Sequence, residues 1–202
     1  MNDPVAAAAV EYLTRVRGLS KDSVQSFLLG YVANPLAGHE QYAGKIAIPY
    51  YTRSGFISMR FRLLPEMVDG EPRPAEGPKY LSAPGDMPRL FNPEDLNRRE
   101  PFVCICEGEM DAITANQAGL PAIGIAGVNG WREYFARCFK GYNAVYVLCD
   151  NDDKGQGASF GEKVAAQIQN SRVVLMPSGH DVNSFVKSEG PEALRARLED
   201  SQ

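Results

Sequence analysis

The residues with most chemical consequence are Asp150, Asp152 and Asp153. They follow the apolar run Ala144-Val145-Tyr146-Val147-Leu148-Cys149 and lead into Gly155-Gln156-Gly157. A second apolar run, Phe102-Val103-Cys104-Ile105-Cys106, ends in the same manner in Glu107-Gly108-Glu109-Met110-Asp111. Carboxylates at the carboxyl ends of neighbouring parallel strands converge at one edge of the sheet, where open α/β folds place their sites. Glu107, Asp150 and Asp152 would repel one another there unless a cation or a proton intervened. Oxygen-only donor sets of this kind suit Mg²⁺ or Mn²⁺, and those ions in turn suit phosphates. The implied chemistry is metal-dependent work on phosphate groups. Glu109 and Asp153 also have a plainer role, as acids in the first turn or cap of a helix. Asp181 is a further carboxylate that follows a strand-like segment, and Gly108 and Gly155 mark the tight turns beside the acids.

The elements that must position these residues are legible from hydrophobic period and punctuation. Helical spacing and alanine content predict a helix over Val5–Val16, and a second from Ser20, whose hydroxyl caps it, to about Leu28. Residues 45–51 and 56–64 read as a β-hairpin joined through Thr52-Arg53-Ser54-Gly55. Arg60 and Arg62, two apart, share one face of its second strand, and Met59, Phe61 and Leu63 take the other. Four prolines and two glycines between Pro65 and Pro78 predict a turn-rich, mobile excursion. Order resumes at Lys79-Tyr80-Leu81-Ser82. From Phe102 strands alternate with helices: strands over 102–106, 122–125, 143–149 and 172–176, helices over 109–118, 131–139 and 157–169, and a last helix after Pro191. That alternation predicts a parallel sheet covered on both faces. With the polar stretch Asn92–Glu100 as junction, the expected organisation is an α+β unit over 1–98 and an α/β unit over 99–202.

The 202-residue chain is long enough to bury a substantial core. No apolar run reaches the roughly 18–20 residues needed to span a membrane, and Val5–Val10 lacks the basic leader of a signal peptide. The four cysteines form no Cys-x-x-Cys pair and only two histidines are present, so a structural zinc site is not expected and the pattern is that of a reducing cytosol. The net charge of −4 is unevenly spread. Residues 1–98 carry 11 Lys/Arg against 11 Asp/Glu, whereas 99–202 carry 10 against 14. Between Gln41 and Pro65 stand Lys45, Arg53, Arg60 and Arg62 with no acid among them. Bound cations offset clustered carboxylates, so the formal charge does not exclude a nucleic-acid partner.

Taken together, Glu107-Gly108-Glu109-Met110-Asp111, Asp150-Asn151-Asp152-Asp153-Lys154-Gly155 and His180-Asp181-Val182-Asn183 resemble the three signatures of a TOPRIM domain. That domain is shared by DnaG-type primases, topoisomerases of types IA and II, RecR-like proteins and some nucleases. The amino-terminal half narrows the choice. Tyr12-Leu13, Arg17-Gly18-Leu19-Ser20, Ile48-Pro49, Lys79-Tyr80-Leu81-Ser82-Ala83-Pro84 and Leu90-Phe91-Asn92 resemble, in order, elements of the DnaG-type primase catalytic core. The resemblance covers about residues 10–190. It departs from the family at His180, where primases often carry lysine, and in showing no zinc-binding or helicase-binding region, so a minimal core of phage or mobile-element type is expected.

What the resemblance implies is a Rossmann-like TOPRIM sheet flanked by helices, and synthesis of short RNA primers from NTPs on a single-stranded DNA template with two metal ions, Mg²⁺ or Mn²⁺. Glu107, Asp150 and Asp152 would be catalytic and would hold the metals, with Asp181 as a further ligand or a group behind one. Lys79, Arg62, Arg60 and Lys45 would hold triphosphate or template backbone. A helicase or a zinc-bearing or helical companion would supply the rest, in the cytoplasm of a host cell. Two other readings use the same residues. A TOPRIM nuclease would cleave phosphodiesters with water, but lacks the Arg-Gly-Leu-Ser and Lys-Tyr-Leu-Ser elements. A DNA-binding adaptor would have no need of three clustered acids. Tyr50, Tyr51, Phe56 and Trp131 are expected chiefly as packing residues, and Gly127-Val128-Asn129-Gly130 as a turn able to present amides to an anion.

Overall fold

The computed structural model describes residues 4–68, 71–151 and 155–201. The chain divides into two compact units, Met1–Asp86 and Met87–Gln202.

In the first unit, α1 (Pro4–Glu11) runs directly into a π-helical turn, Tyr12–Val16, which buries Tyr12 and Leu13. Helix α2 (Lys21–Ser26) starts where the sequence predicts, with Ser20 Oγ accepting the Ser23 N–H at 3.0 Å. A four-stranded antiparallel sheet follows in the order β1 (Gly30–Tyr31), β2 (Lys45–Thr52), β3 (Gly55–Leu63), then, past a two-stranded excursion, β6 (Tyr80–Ser82). The predicted hairpin is β2–β3, paired from Lys45 opposite Leu63 to Thr52 opposite Gly55, with a bulge between Tyr50 and Tyr51. Ile46, Ile48 and Tyr50 are buried, and Phe61 stacks on Tyr42 with centroids 3.9 Å apart. The proline-rich excursion is not all turn. It contains β4 (Glu66–Val68) and β5 (Glu71–Arg73), which pair with each other as a separate antiparallel ribbon.

The second unit carries a parallel sheet in the order β10 (Ser171–Leu175), β9 (Ala144–Cys149), β7 (Phe102–Cys106), β8 (Ala122–Gly124). Alternate residues of the central strands explain why it is buried on both faces. Val103, Ile105, Val145, Val147 and Cys149 join a core with Trp131, Phe135, Phe139, Phe160 and Val164. Cys104, Cys106 and Leu148 point the other way and are equally buried. Helix α3 (Glu109–Gln117) links β7 to β8, and α4 (Gln156–Ala165) links β9 to β10. The two crossovers leave in opposite directions along the sheet, and right-handed connections then put α3 and α4 on opposite faces.

Three features depart from the sequence reading. The helix expected over 131–139 is a 3₁₀ helix over Glu133–Phe139. An additional helix, α5 (Val182–Glu189), precedes the terminal α6 (Pro191–Asp200). The segment 87–98 packs on the second unit: Phe91 bridges Gly124, and Asp95 accepts the Ala122 N–H at 2.9 Å and Asn116 Nδ2 at 2.7 Å. Among the described residues no helix is long and apolar enough to cross a membrane.

The strand cysteines are core residues. Cys104, Cys106 and Cys149 are buried and Cys138 is exposed. Burial is the main cause that pushes each of the three buried thiols well up from its ordinary value, with nearby acidic groups adding to it. A native-state titration with a thiol-specific disulfide reagent is therefore expected to label Cys138 alone, and all four residues after denaturation. Rapid labelling of more than one thiol in the folded chain would contradict this packing.

Candidate active site and basic pocket

The opposite courses of α3 and α4 open a crevice at the carboxyl ends of β7 and β9, the point where such folds bind ligands. Glu107 leaves β7 and Asp150 leaves β9, on adjacent strands. The backbone N–H of Asp150 donates to Glu107 Oε1 at 2.8 Å, which fixes the first carboxylate against the root of the second. Glu107 is 7% exposed, and Oδ1 of Asp150 is buried.

Helix α4 reaches this point because its facing positions have no side chain. A Cβ on Gly157 would lie 2.1 Å from the Asp150 carbonyl oxygen and 2.6 Å from Glu107 Oε1. One turn on, a Cβ on Gly161 would lie 2.6 Å from Cys149 Sγ. Gly155 precedes α4 with φ +64°, a left-handed backbone that favours glycine. Gly108 caps α3 with an extended backbone (φ −137°), so φ does not require glycine there; a Cβ would instead crowd Asp111 Oδ2 at 2.9 Å.

The third sequence signature closes on the first two. Asn151 donates its backbone N–H to His180 O at 3.0 Å and Nδ2 to Met176 O at 2.9 Å, and accepts the Gly179 N–H at 2.7 Å. Asp111 Oδ1 accepts the Asn183 N–H at 3.1 Å, and Asn183 Nδ2 donates to Thr114 Oγ1 at 2.7 Å. Asp181 caps α5: its Oδ1 accepts the Ser184 N–H at 2.6 Å, and Ser184 Oγ returns a bond with the Asp181 N–H at 3.1 Å. Glu109 is only 1% exposed, in the first turn of α3. The amide of Gly127 is bonded to the Glu107 and Ile125 carbonyls, so the Gly127–Gly130 loop serves as a tight turn.

Asp152 and Asp153 lie outside the described residues. Among the described residues no group of three donors is gathered into a metal site. The pair Glu107 and Asp150 nonetheless fits a hard divalent cation. Its side-chain donors are carboxylate oxygens without histidine or thiolate, the donor chemistry that such an ion takes. The field of the pair is felt nearby: the Cys149 thiol is pushed up to about 12, first by burial and then by the charges of Glu107 and Asp150.

The predicted basic residues fall in the first unit and separate there. Arg62 is buried, 5% exposed, with Nε donating to Tyr12 Oη at 2.8 Å and Nη1 to Tyr80 Oη. Arg17 Nε donates to the same Tyr12 oxygen at 2.7 Å. Tyr12, Arg17, Arg62, Lys79 and Arg73 line one pocket of about 470 Å³, in which no carboxylate appears among the described lining residues. Arg60 lies over the Tyr80 ring, 4.4 Å from its centroid, and neither it nor Lys45 lines that pocket. Arg17, Tyr12 and Arg73 were not anticipated as site residues. The phenol of Tyr12 carried no signal by itself, since only the fold brings two arginines to it.

Residues 104–186 match the Toprim-like family model. The Gene 57 protein of Mycobacterium phage D29 is 40% identical over 162 residues, which cover 78% of this chain and 99% of that one. The DNA primase of Pseudomonas aeruginosa is 26% identical over 96% of this chain, which spans about a third (35%) of that enzyme's length. A solved DnaG primase catalytic domain bound to single-stranded DNA superposes with a TM-score of 0.75 at 20% identity, covering all of this chain and 74% of that one. The chain belongs to the family of the phage Gene 57 protein, carries a Toprim-like domain and has the fold of the DnaG catalytic core. Both the antiparallel and the parallel unit fall within the superposed primase core.

Gly157 provides a test of the geometry of this site. Gly157→Ala must push α4 away from Asp150, since the obstructing atom is a backbone carbonyl. The expected loss is about 1–3 kcal/mol in denaturant unfolding. Ser159→Ala, on the exposed side of the same helix, is expected to leave stability unchanged. Equal stability of Gly157→Ala and the parent chain would refute the close approach.

Proposed function

We propose that this chain is a primase core that joins nucleoside triphosphates into short RNA primers on a single-stranded DNA template, with a divalent metal, Mg²⁺ or Mn²⁺, held by Glu107, Asp150 and Asp152. The observation that carries the reading is the 2.8 Å bond from the Asp150 N–H to Glu107 Oε1, which pairs two acids at a sheet switch point. A divalent cation bound there would offset charge on the phosphoryl oxygens. Glu107 is placed to accept a proton or to donate an oxygen to the metal, and its bonded Oε1 keeps the other oxygen in one orientation. Asp150 presents its carboxylate from the rigid end of β9. Asp181 is engaged as the cap of α5, so its part in this reading is to set the loop rather than to lead the coordination.

The first unit favours primer synthesis over hydrolysis. Cleaving a phosphodiester with water calls for no nucleotide pocket, and the cavity that Arg62 and Lys79 line together with Arg17 and Arg73 is assigned in this reading to the incoming triphosphate. Arg60 and Lys45, outside that pocket, are assigned here to template backbone, a sequence-independent electrostatic role.

The test is a gel assay with labelled ribonucleotides, a mixed-sequence single-stranded template and Mg²⁺ or Mn²⁺. Short product ladders are expected, and chelation of the metal should abolish them. Glu107→Gln retains a carbonyl oxygen for the Asp150 N–H, so the melting temperature should stay near that of the parent chain. Removal of the charge should cost a hundredfold or more in synthesis, on the order of the loss of an acid–base or metal-orienting group. A shortened template with no ladder would assign the chain as a nuclease, and full synthesis by Glu107→Gln would remove Glu107 from the site.

A further inference from the structure

The β4–β5 ribbon has no place in the reading of the acids, yet its residues line the basic pocket. All six described residues of β4 and β5 are exposed, and the two strands pair with each other rather than with either larger sheet. A lone two-stranded ribbon is marginally stable in water, so what keeps this one in shape must be local. Prolines supply that stiffness. Pro65 leads into β4, and Pro72 and Pro74 flank Arg73 at the end of β5. Pro72 fixes its own φ, and a residue that precedes proline is confined to extended backbone, so Arg73 is held extended before any ligand arrives. Pro65, Pro72, Arg73 and Pro74 then line the same 470 Å³ pocket as Arg62 and Lys79.

A pocket of this volume falls within the range of small-ligand sites. Its cations call for a polyanion, and its prolines and the Tyr12 ring offer apolar surface to a sugar or base. We propose that Arg73 is a further phosphate-binding residue, and that the ribbon presents it to the triphosphate of a free nucleotide rather than to a DNA backbone. The proposal rests on the primase reading and adds to it a residue and a wall. Arg73 does what a guanidinium does best, bonding two phosphate oxygens in a fixed fork, and its restricted backbone reduces the entropy lost on binding.

Calorimetric titration in EDTA separates this pocket from the carboxylate site, because no metal is then available to either. ATP, adenosine and a single-stranded oligonucleotide are each titrated onto the parent chain, Arg73→Ala, Arg73→Lys and Arg62→Ala. Arg73→Ala should weaken ATP binding about tenfold, as expected for loss of one charge-assisted contact, with part of the loss restored in Arg73→Lys. Oligonucleotide affinity should change by less than about twofold, and adenosine should bind far more weakly than ATP to every chain. Circular dichroism should show the parent fold in both Arg73 variants, since Arg73 is exposed. If Arg62→Ala loses ATP binding and Arg73→Ala does not, the role of Arg73 is refuted while the primase reading stands. If Arg73→Ala loses oligonucleotide binding and keeps ATP, the pocket is a backbone groove and the proposal fails. If the parent chain binds no ATP, both the proposal and the assignment of the pocket fall together.

Discussion

Two carboxylates at the ends of adjacent parallel strands repel, and the second unit is built around holding them together. The backbone N–H of Asp150 does this at one point, by donating to Glu107 Oε1. A hydrogen bond to an ionised acceptor is stronger than one between neutral groups, and this one is also largely buried. Its geometry depends on α4 lying close enough to exclude water. That closeness depends in turn on Gly157 and Gly161, which face the end of β9 at helical spacing. A methyl at Gly157 would move the helix, because it would meet the backbone carbonyl of Asp150, and one at Gly161 would run into the side chains of Cys149 and Val173 on the strands below. The chain thus gives up the helix propensity of alanine at two positions, about 1 kcal/mol each, to keep the acids on rigid elements.

The first unit meets the opposite difficulty, with cations in place of anions. Arg17 and Arg62 would separate if nothing held them, and the phenolic oxygen of Tyr12 accepts from both. A tyrosine oxygen has two lone pairs and can serve two donors at once. The Tyr80 ring and hydroxyl take the remaining reach of Arg62, with the guanidinium carbon 5.0 Å from the ring centroid. Arg62 is therefore as much a structural residue as a candidate for binding, and its burial is tolerable because its donors have partners. Such an arginine is pre-organised toward the pocket, and an incoming phosphate need not order it.

The parts of this structure that the sequence reveals are those in which one residue type repeats at a fixed period. Five or six apolar residues in a row, ended by acid and glycine, identify β7 and β9, and Glu107 and Asp150 follow at their ends. The β2–β3 hairpin is legible because Thr52 to Gly55 contain the turn chemistry. What escapes is set by tertiary partners. Helix α5 carries its own signal in Asp181 and Ser184, a capping box with serine in place of the usual glutamate or glutamine, and assigning Asp181 to the metal, as a ligand or as a group behind one, leaves its duty as a cap unseen. Residues 133–139 have helical spacing but wind as a 3₁₀ helix, and Trp131, Phe135 and Phe139 nonetheless share one core, a winding that the spacing does not announce. Alternation along β3 places Arg60 and Arg62 on one face correctly. It cannot show that Tyr12, fifty residues away, covers only the second of them. Prolines between 65 and 78 argue for turns, yet Pro72 stands in an exposed ribbon strand, where proline is tolerated because the sheet has nothing beyond its edge.

Net charge is the weakest guide to what this chain binds. A total of −4 suggests indifference to phosphate, but the potential at a site is set by charges within about a Debye length, roughly 8 Å at physiological salt. Within the first unit the acids Glu66, Glu71 and Glu76 are near in sequence to Arg73, yet none of them lines the pocket that Arg73 enters with Arg17, Arg62 and Lys79. Those acids stand at exposed positions, where water screens them. The ribbon alternates in sign along the chain and sorts its charges in space, turning an arginine toward the pocket while its carboxylates face solvent. In the second unit the same sorting gathers acids at the ends of β7 and β9, where desolvation strengthens their mutual repulsion and hence their demand for a cation. Each unit is locally far from neutral where it matters chemically, in opposite senses, and the averaged charge conceals both.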